Sequence, residues 1–145
     1  MPVVAVVDTN VWVSAFLNPG GFPDQLLQLA RRSRFALVTS SYLLEELQEV
    51  LSRPRIMKIR GTTLVEARNF TRLVANIAEL VAIGDTSRLC RDPDDDALLQ
   101  TALEGRATFV VSRDEDLTRD LELTRQLKAH NIQAITVNRF LKEIG

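Results

Sequence analysis

The chain reads as an α/β domain, a central parallel sheet of five strands with helices on both faces. Three observations predict this. Short apolar runs rich in β-branched residues recur along the whole length, and helix-period segments separate each from the next, the pattern of strands joined by crossover helices. The first run, Val3-Val4-Ala5-Val6-Val7, does not alternate with polar residues, as expected of a parallel strand buried on both faces. Finally, 145 residues with 46% apolar content suit one domain, 1–145, with a core of ordinary size.

Taken in order, the first strand at 3–7 leads into a helix at about 10–17, and Asn18-Pro19-Gly20-Gly21 turns the chain into a second helix at 24–32. The second strand, 35–39, precedes a helix at 41–52 whose Leu43, Leu44, Leu47, Val50 and Leu51 form one apolar arc at about 100° per residue. Arg53-Pro54-Arg55 ends that helix, since the residue before proline avoids the helical region. A helical stretch at 64–79 and a strand at 80–83 follow. The helix at 94–104 opens on Asp92-Pro93, and the strand at 108–112 carries Phe109-Val110-Val111. A helix at 121–130, a strand at 134–137 and a short helix at 139–144 close the chain.

Composition narrows the function classes. The single Cys90 excludes a disulfide framework and suits a reducing cytoplasm. No run approaches the roughly 18 apolar residues of a membrane span, nor is there a charged-then-apolar leader, so a soluble cytoplasmic protein with no membrane partner is expected. The net charge of -1 hides an uneven layout: nine Lys/Arg against four Asp/Glu over 31–72, then five against eleven over 85–122. A neutral total argues against a general nucleic-acid coat but permits a basic flank beside an acidic pocket. Ordinary solvated helix faces explain the counts equally well.

The acids separate by position. Asp8 closes the first strand, at the sheet edge where open α/β proteins bind ligands; it reads equally as the N-cap of the helix that follows. On helix 41–52, Glu45 and Glu49 fall opposite the apolar arc and read as solvated. Glu46 falls beside Val50 at its margin, where it can reach a cleft. Asp92-Pro93-Asp94-Asp95-Asp96 is first helix-start chemistry, with Asp92 capping, Pro93 in the first helical position and acids complementing the dipole. That leaves Asp96, projected beside Leu99 and Leu103, as the acid available to a site. Phe109-Val110-Val111 repeats the geometry of the first strand and delivers Asp114. Asp116 reads as a second ligand or, preferably, as a cap of the turn into Leu117.

Two strand-end acids and two helix-margin acids can thus meet on one edge of the sheet. His130, late in a helix, and Cys90, a small packing residue, lie outside this set. All-oxygen ligation predicts Mg²⁺ or Mn²⁺ rather than zinc. Such a site supports phosphodiester hydrolysis by a metal-activated water, with a further carboxylate as its base. Arg53, Arg55, Lys58, Arg91 and Arg113 are nearest in sequence to the acidic motifs and are the candidates to hold a phosphate backbone.

Four segments, 6–11, 41–47, 94–99 and 110–117, resemble in order and spacing the four motifs of PIN-domain nucleases: Val-Val-Asp-Thr-Asn-Val, Ser-Tyr-Leu-Leu-Glu-Glu-Leu, Asp-Asp-Asp-Ala-Leu-Leu and Val-Val-Ser-Arg-Asp-Glu-Asp-Leu. Leu44-Glu45-Glu46-Leu47 followed by Arg53-Pro54 is most similar to the VapC type, the toxins of toxin–antitoxin pairs. The resemblance implies Mg²⁺- or Mn²⁺-dependent cleavage of single-stranded RNA by Asp8, Glu46, Asp96 and Asp114, with Asp116 a further, less constant acid. It also implies that Thr9 or Asn10 orients Asp8, that Ser112 supports the last acid, and that the protein is a homodimer bound by a cognate antitoxin. Ser112 stands where the family often has threonine, which keeps a hydroxyl. A helical insertion at about 62–79 carries Leu64, Ala67, Phe70, Leu73, Val74 and Ile77 as an apolar stripe; packing on its own domain is favoured over a dimer or antitoxin groove.

Other readings fit less well. A haloacid-dehalogenase-type phosphatase needs a second acid two residues after the first, where Asn10 stands, and no Gly-rich phosphate loop is present. A non-catalytic RNA-binding or regulatory PIN module is the remaining alternative, against which the intact acidic set weighs.

Overall fold

The structure, a computed structural model, describes residues 3–86, 88–113 and 120–145. Five strands, β1 (Val4–Val7), β2 (Ala36–Ser40), β3 (Glu79–Val81), β4 (Phe109–Ser112) and β5 (Gln133–Thr136), form one sheet in the order β3-β2-β1-β4-β5. Every neighbouring pair is parallel. The helices among the described residues are α1 (Thr9–Leu17), α2 (Phe22–Arg31), α3 (Ser41–Leu51), α4 (Pro54–Arg60), α5 (Leu64–Ile77), α6 (Pro93–Glu104), α7 (Leu121–Ala129) and α8 (Val137–Ile144).

The unbroken apolar run of β1 is explained by its place at the centre of the sheet. Ala5 and Val7 point into a core built with Val11, Trp12, Leu26, Leu47 and Phe140, whereas Val6 joins Val38, Leu98, Leu99, Val110 and Leu127 on the opposite face. Successive side chains leave a strand on opposite faces, so a strand covered on both sides needs no polar alternation. Phe140 anchors the first face through edge-on contacts with Phe35 and Phe109, at centroid distances of 5.1 and 5.4 Å.

The expected elements form, with boundaries moved mostly by one or two residues and one helix added. Strand β3 begins at Glu79 and α5 stops at Ile77, because Ala78 is already extended. Strand β5 and helix α8 likewise begin one and two residues earlier than expected. The addition is α4: Pro54 does not simply end α3 but takes the first turn of a new helix, where its missing N–H costs nothing. Gly61, at φ 67°, closes that helix in the left-handed region. The insertion folds as α5, opened by a capping box between Thr63 and Glu66. Its Ala67 and Val74 are fully buried and Phe70 meets Phe16 edge-on at 5.2 Å, so the stripe packs on its own domain. Leu64 departs from it and is exposed.

The strand order positions the site. From β1 the chain proceeds to β2 on one side, and β4 lies on the other, so the crevice outside the carboxyl ends of β1 and β4 is the topological switch point. The backbone N–H of Asp8 donates to Val111 O at 2.9 Å, which fixes Asp8 against the end of β4. No helix among the described residues is long and apolar enough to cross a membrane.

Candidate active site at the switch point

Asp8 occupies the N-cap position of α1, and its carbonyl accepts the N–H of Val11 at 3.0 Å, but its carboxylate makes no capping bond. The side chain instead accepts a hydrogen bond from Ser112 Oγ at 3.3 Å. The backbone therefore caps the helix while the carboxylate faces the crevice. Ser112, buried at the end of β4, thus steadies Asp8 across the two central strands. Thr9 takes a different role from the expected one. Its Oγ1 donates to Glu46 Oε1 at 2.5 Å, so it orients Glu46 rather than Asp8.

Helix α3 delivers Glu46 as its periodicity requires. Glu45 and Glu49 are exposed, Leu43 and Leu47 are buried, and Glu46 is half-buried between these faces. Burial pushes its carboxyl up to about 7, and the charges of Asp94 and Asp8 push the same way against the Thr9 hydrogen bond. From α6 comes Asp95, pushed up to about 8 by burial and then by its hydrogen bond and charge contact with Asp120. Asp92 caps α6 by accepting the N–H of Asp94 at 2.8 Å and of Asp95 at 3.4 Å. Asp94 accepts the Tyr42 hydroxyl at 2.7 Å.

These groups line one cleft of about 350 Å³, whose wall includes Asp8, Glu46, Asp92, Asp94, Asp95 and Asp120 and, among its described lining residues, no Lys, Arg or His. Asn10 is in the same wall.

Asp96 does not join them. It is fully buried, and its carboxylate accepts from Leu89 N and Cys90 N at 2.6 Å each and from Gln100 Nε2 at 2.6 Å. Burial alone would raise its pKa, but these hydrogen bonds hold it below the ordinary range. Gln100 continues the staple, accepting from Gly84 N at 3.0 Å and donating to Asp85 O at 2.6 Å. The expectation for Asp96 failed because α6 has no amphipathic margin: every residue from Asp96 to Thr101 is buried. Its cleft-facing residues are Asp94, Asp95 and Leu98, whereas the Asp96 and Gln100 face pins the incoming loop. A polar residue four positions after Asp96 in an otherwise apolar stretch is the signal of that internal pairing. Asp120 was missed because it precedes α7, outside any helical period, where an acid reads as a cap; its side chain makes no capping bond.

Asp114 and Asp116 lie outside the described residues. Of the basic candidates, Arg53, Arg55 and Lys58 are exposed, at the N-cap, in the first turn and in the last turn of α4, with Arg53 paired to Glu49 at 3.1 Å. Arg91 is tied to Glu122 of α7 at 3.5 Å, and Arg113 is half-buried after β4.

The donor set fits a hard divalent cation. It is all oxygen, and the raised pKa values of Glu46 and Asp95 record burial and mutual repulsion that a bound cation would relieve. Among the described residues no three such side chains are already gathered closely enough to hold an ion.

A five-stranded parallel sheet with acids converging on its switch point defines a class, and comparison with known proteins agrees with it. Residues 4–116 match the family model described as a PIN domain, and the chain belongs to that family, whose fold is of the nuclease type and generally metal-dependent. It is also 29% identical over 145 positions to the uncharacterized protein MJ1680 of Methanocaldococcus jannaschii, covering 97% of this chain and 91% of that protein.

Proposed function

We propose that the protein is a metal-dependent endoribonuclease that hydrolyses single-stranded RNA in the acidic cleft. The observation that carries this reading is the convergence of Asp8, Glu46 and Asp95 on one cleft at the switch point, from β1, α3 and α6. Asp8 and Asp95 are the proposed metal-binding carboxylates, with Glu46 binding metal or holding the attacking water, and Asp114, two positions after β4 in the sequence, is proposed to complete the set. Asp95 takes the place expected for Asp96. Ser112 and Thr9 hold Asp8 and Glu46 in position.

Mg²⁺ or Mn²⁺ bound there would neutralise charge on the scissile phosphate and acidify a water molecule. Glu46, whose carboxyl sits near neutrality before a cation arrives, is suited to take the proton of the attacking water. Arg53, Arg55 and Lys58 lie exposed beyond the carboxyl end of α3, where they would hold the RNA backbone. The Leu44–Leu47 and Arg53-Pro54 signature supports the finer assignment: a VapC-like toxin, cytoplasmic, homodimeric and restrained by a cognate antitoxin.

Asp8→Asn tests the reading. It should lower Mn²⁺-dependent cleavage of single-stranded RNA by at least about 10²-fold, the scale for loss of a group that acts in the transition state, and leave the circular dichroism spectrum unchanged. Undiminished cleavage by the purified variant would remove the cleft from the reaction.

A further inference from the structure

Beside the acidic cleft runs a second groove of about 290 Å³, lined by Tyr42, Glu45 and the Glu49–Arg53 pair and sharing Glu46, Val50 and Asp94 with the cleft. Its volume is that of the smallest ligand pockets, about 300 Å³. Tyr42 is the only tyrosine of the chain. It stands one turn before Glu46 on α3, and its hydroxyl is anchored to Asp94 of α6 at 2.7 Å. The anchored residue borders both this groove and a neighbouring one of about 320 Å³. Glu45, three residues on, lies on the same side of the helix. It is exposed, lines both grooves, and has no hydrogen-bond or ion-pair partner among the described residues. Arg53 stands at the rim in an exposed pair with Glu49, a pair that exchanges easily for a phosphate.

An aromatic face, an uncommitted carboxylate and a cation are the three elements that hold one unpaired nucleotide. A carboxylate selects for donors on the base edge. Guanine alone presents two adjacent ones, N1–H and N2–H, matched to the two oxygens; the other bases offer a single N–H site there. We propose that this groove is a nucleobase subsite in which an unpaired guanine next to the scissile phosphate stacks on Tyr42 and donates to Glu45, with Arg53 on the neighbouring phosphate. The subsite rests on the RNA-cleavage reading of the cleft, and it would decide where along a strand the cut falls. Tyr42 and Glu45 are positioning residues, since neither touches the reacting atoms.

The test is fluorescence anisotropy of the full chain carrying Asp8→Asn, to prevent turnover, against labelled uridine oligonucleotides holding one central G, A, C or U. The guanine oligonucleotide should bind tightest. Adding Tyr42→Ala should weaken it roughly tenfold or more, the loss expected for one stacked base. Tyr42→Phe should stay within a few-fold, because it keeps the ring, and Glu45→Gln should level the four bases without shifting the melting temperature. In the active enzyme Tyr42→Ala should raise KM more than it lowers kcat and scatter the cut positions. Equal binding of all four oligonucleotides, or an effect of Tyr42→Phe as large as that of Tyr42→Ala, would overturn the subsite. Tyr42-dependent guanine binding by a wild-type protein that cleaves nothing with Mn²⁺ would uphold the subsite and overturn the nuclease reading instead.

Discussion

Neighbouring residues of one acidic run do opposite work, and the difference is one of hydrogen bonding. Asp95 meets other carboxyl groups, whereas Asp96 meets three N–H donors. Asp96→Asn would turn an amide NH₂ toward donors that need an acceptor, leaving a buried group unsatisfied. It should cost about 1–3 kcal/mol, read as a lower urea midpoint, and a midpoint equal to wild type would refute the staple. The pH dependence separates the two acids by sign. Asp96 has a lowered pKa, so its stabilisation is present above the ordinary 3.8 and is lost as pH falls through the folded value. Glu46 and Asp95 are raised, from 4.5 to about 7 and from 3.8 to about 8. The native state therefore binds more protons than the unfolded chain in that window. Its stability in EDTA should fall as pH rises from 5 to 8, and Mg²⁺ should restore it at pH 8. A melting temperature independent of pH in EDTA would contradict this. Glu46 was legible in the sequence because α3 has one buried and one solvated face; Asp95 was not, because α6 has no such division.

At the scale of elements, backbone chemistry decides two positions that differ in kind. Gly105 closes α6 against β2, and a Cβ there would lie 2.3 Å from Val38 Cγ1. Its φ of -83° is open to any residue, so the requirement is space alone. Gly105→Ala should cost about 1–3 kcal/mol by overpacking. Gly61 has open space around its Cα but a φ of 67°, and Gly61→Ala should cost about 1 kcal/mol through the left-handed backbone. Denaturant midpoints would check both, and a neutral Gly105→Ala would show that β2 and α6 separate more readily than the packing implies. The strands and most helices were legible from apolar period. Helix α4 was not, because Arg53-Pro54-Arg55 reads as a stop when only the preceding residue is considered. Proline restricts what comes before it and favours what comes after; here both apply, α3 ending at Leu51 and α4 starting at Pro54.

For the whole molecule, the parallel order β3-β2-β1-β4-β5 places the carboxyl ends of β1 and β4 side by side. Acids far apart in the chain then share one cleft, while the cations of α4 stay outside it. That segregation was visible as two oppositely charged halves, but the pairing of Asp95 with Asp120 required the three-dimensional course of α6 and α7. The most direct test is Mn²⁺-dependent cleavage of single-stranded RNA by Asp95→Asn and Asp96→Asn, compared below the melting temperature of both. Asp95→Asn should fold stably, bind Mn²⁺ weakly and be inactive, whereas Asp96→Asn should be less stable yet still cleave. Full activity of Asp95→Asn beside a folded, inactive Asp96→Asn would contradict the assignment of the cleft.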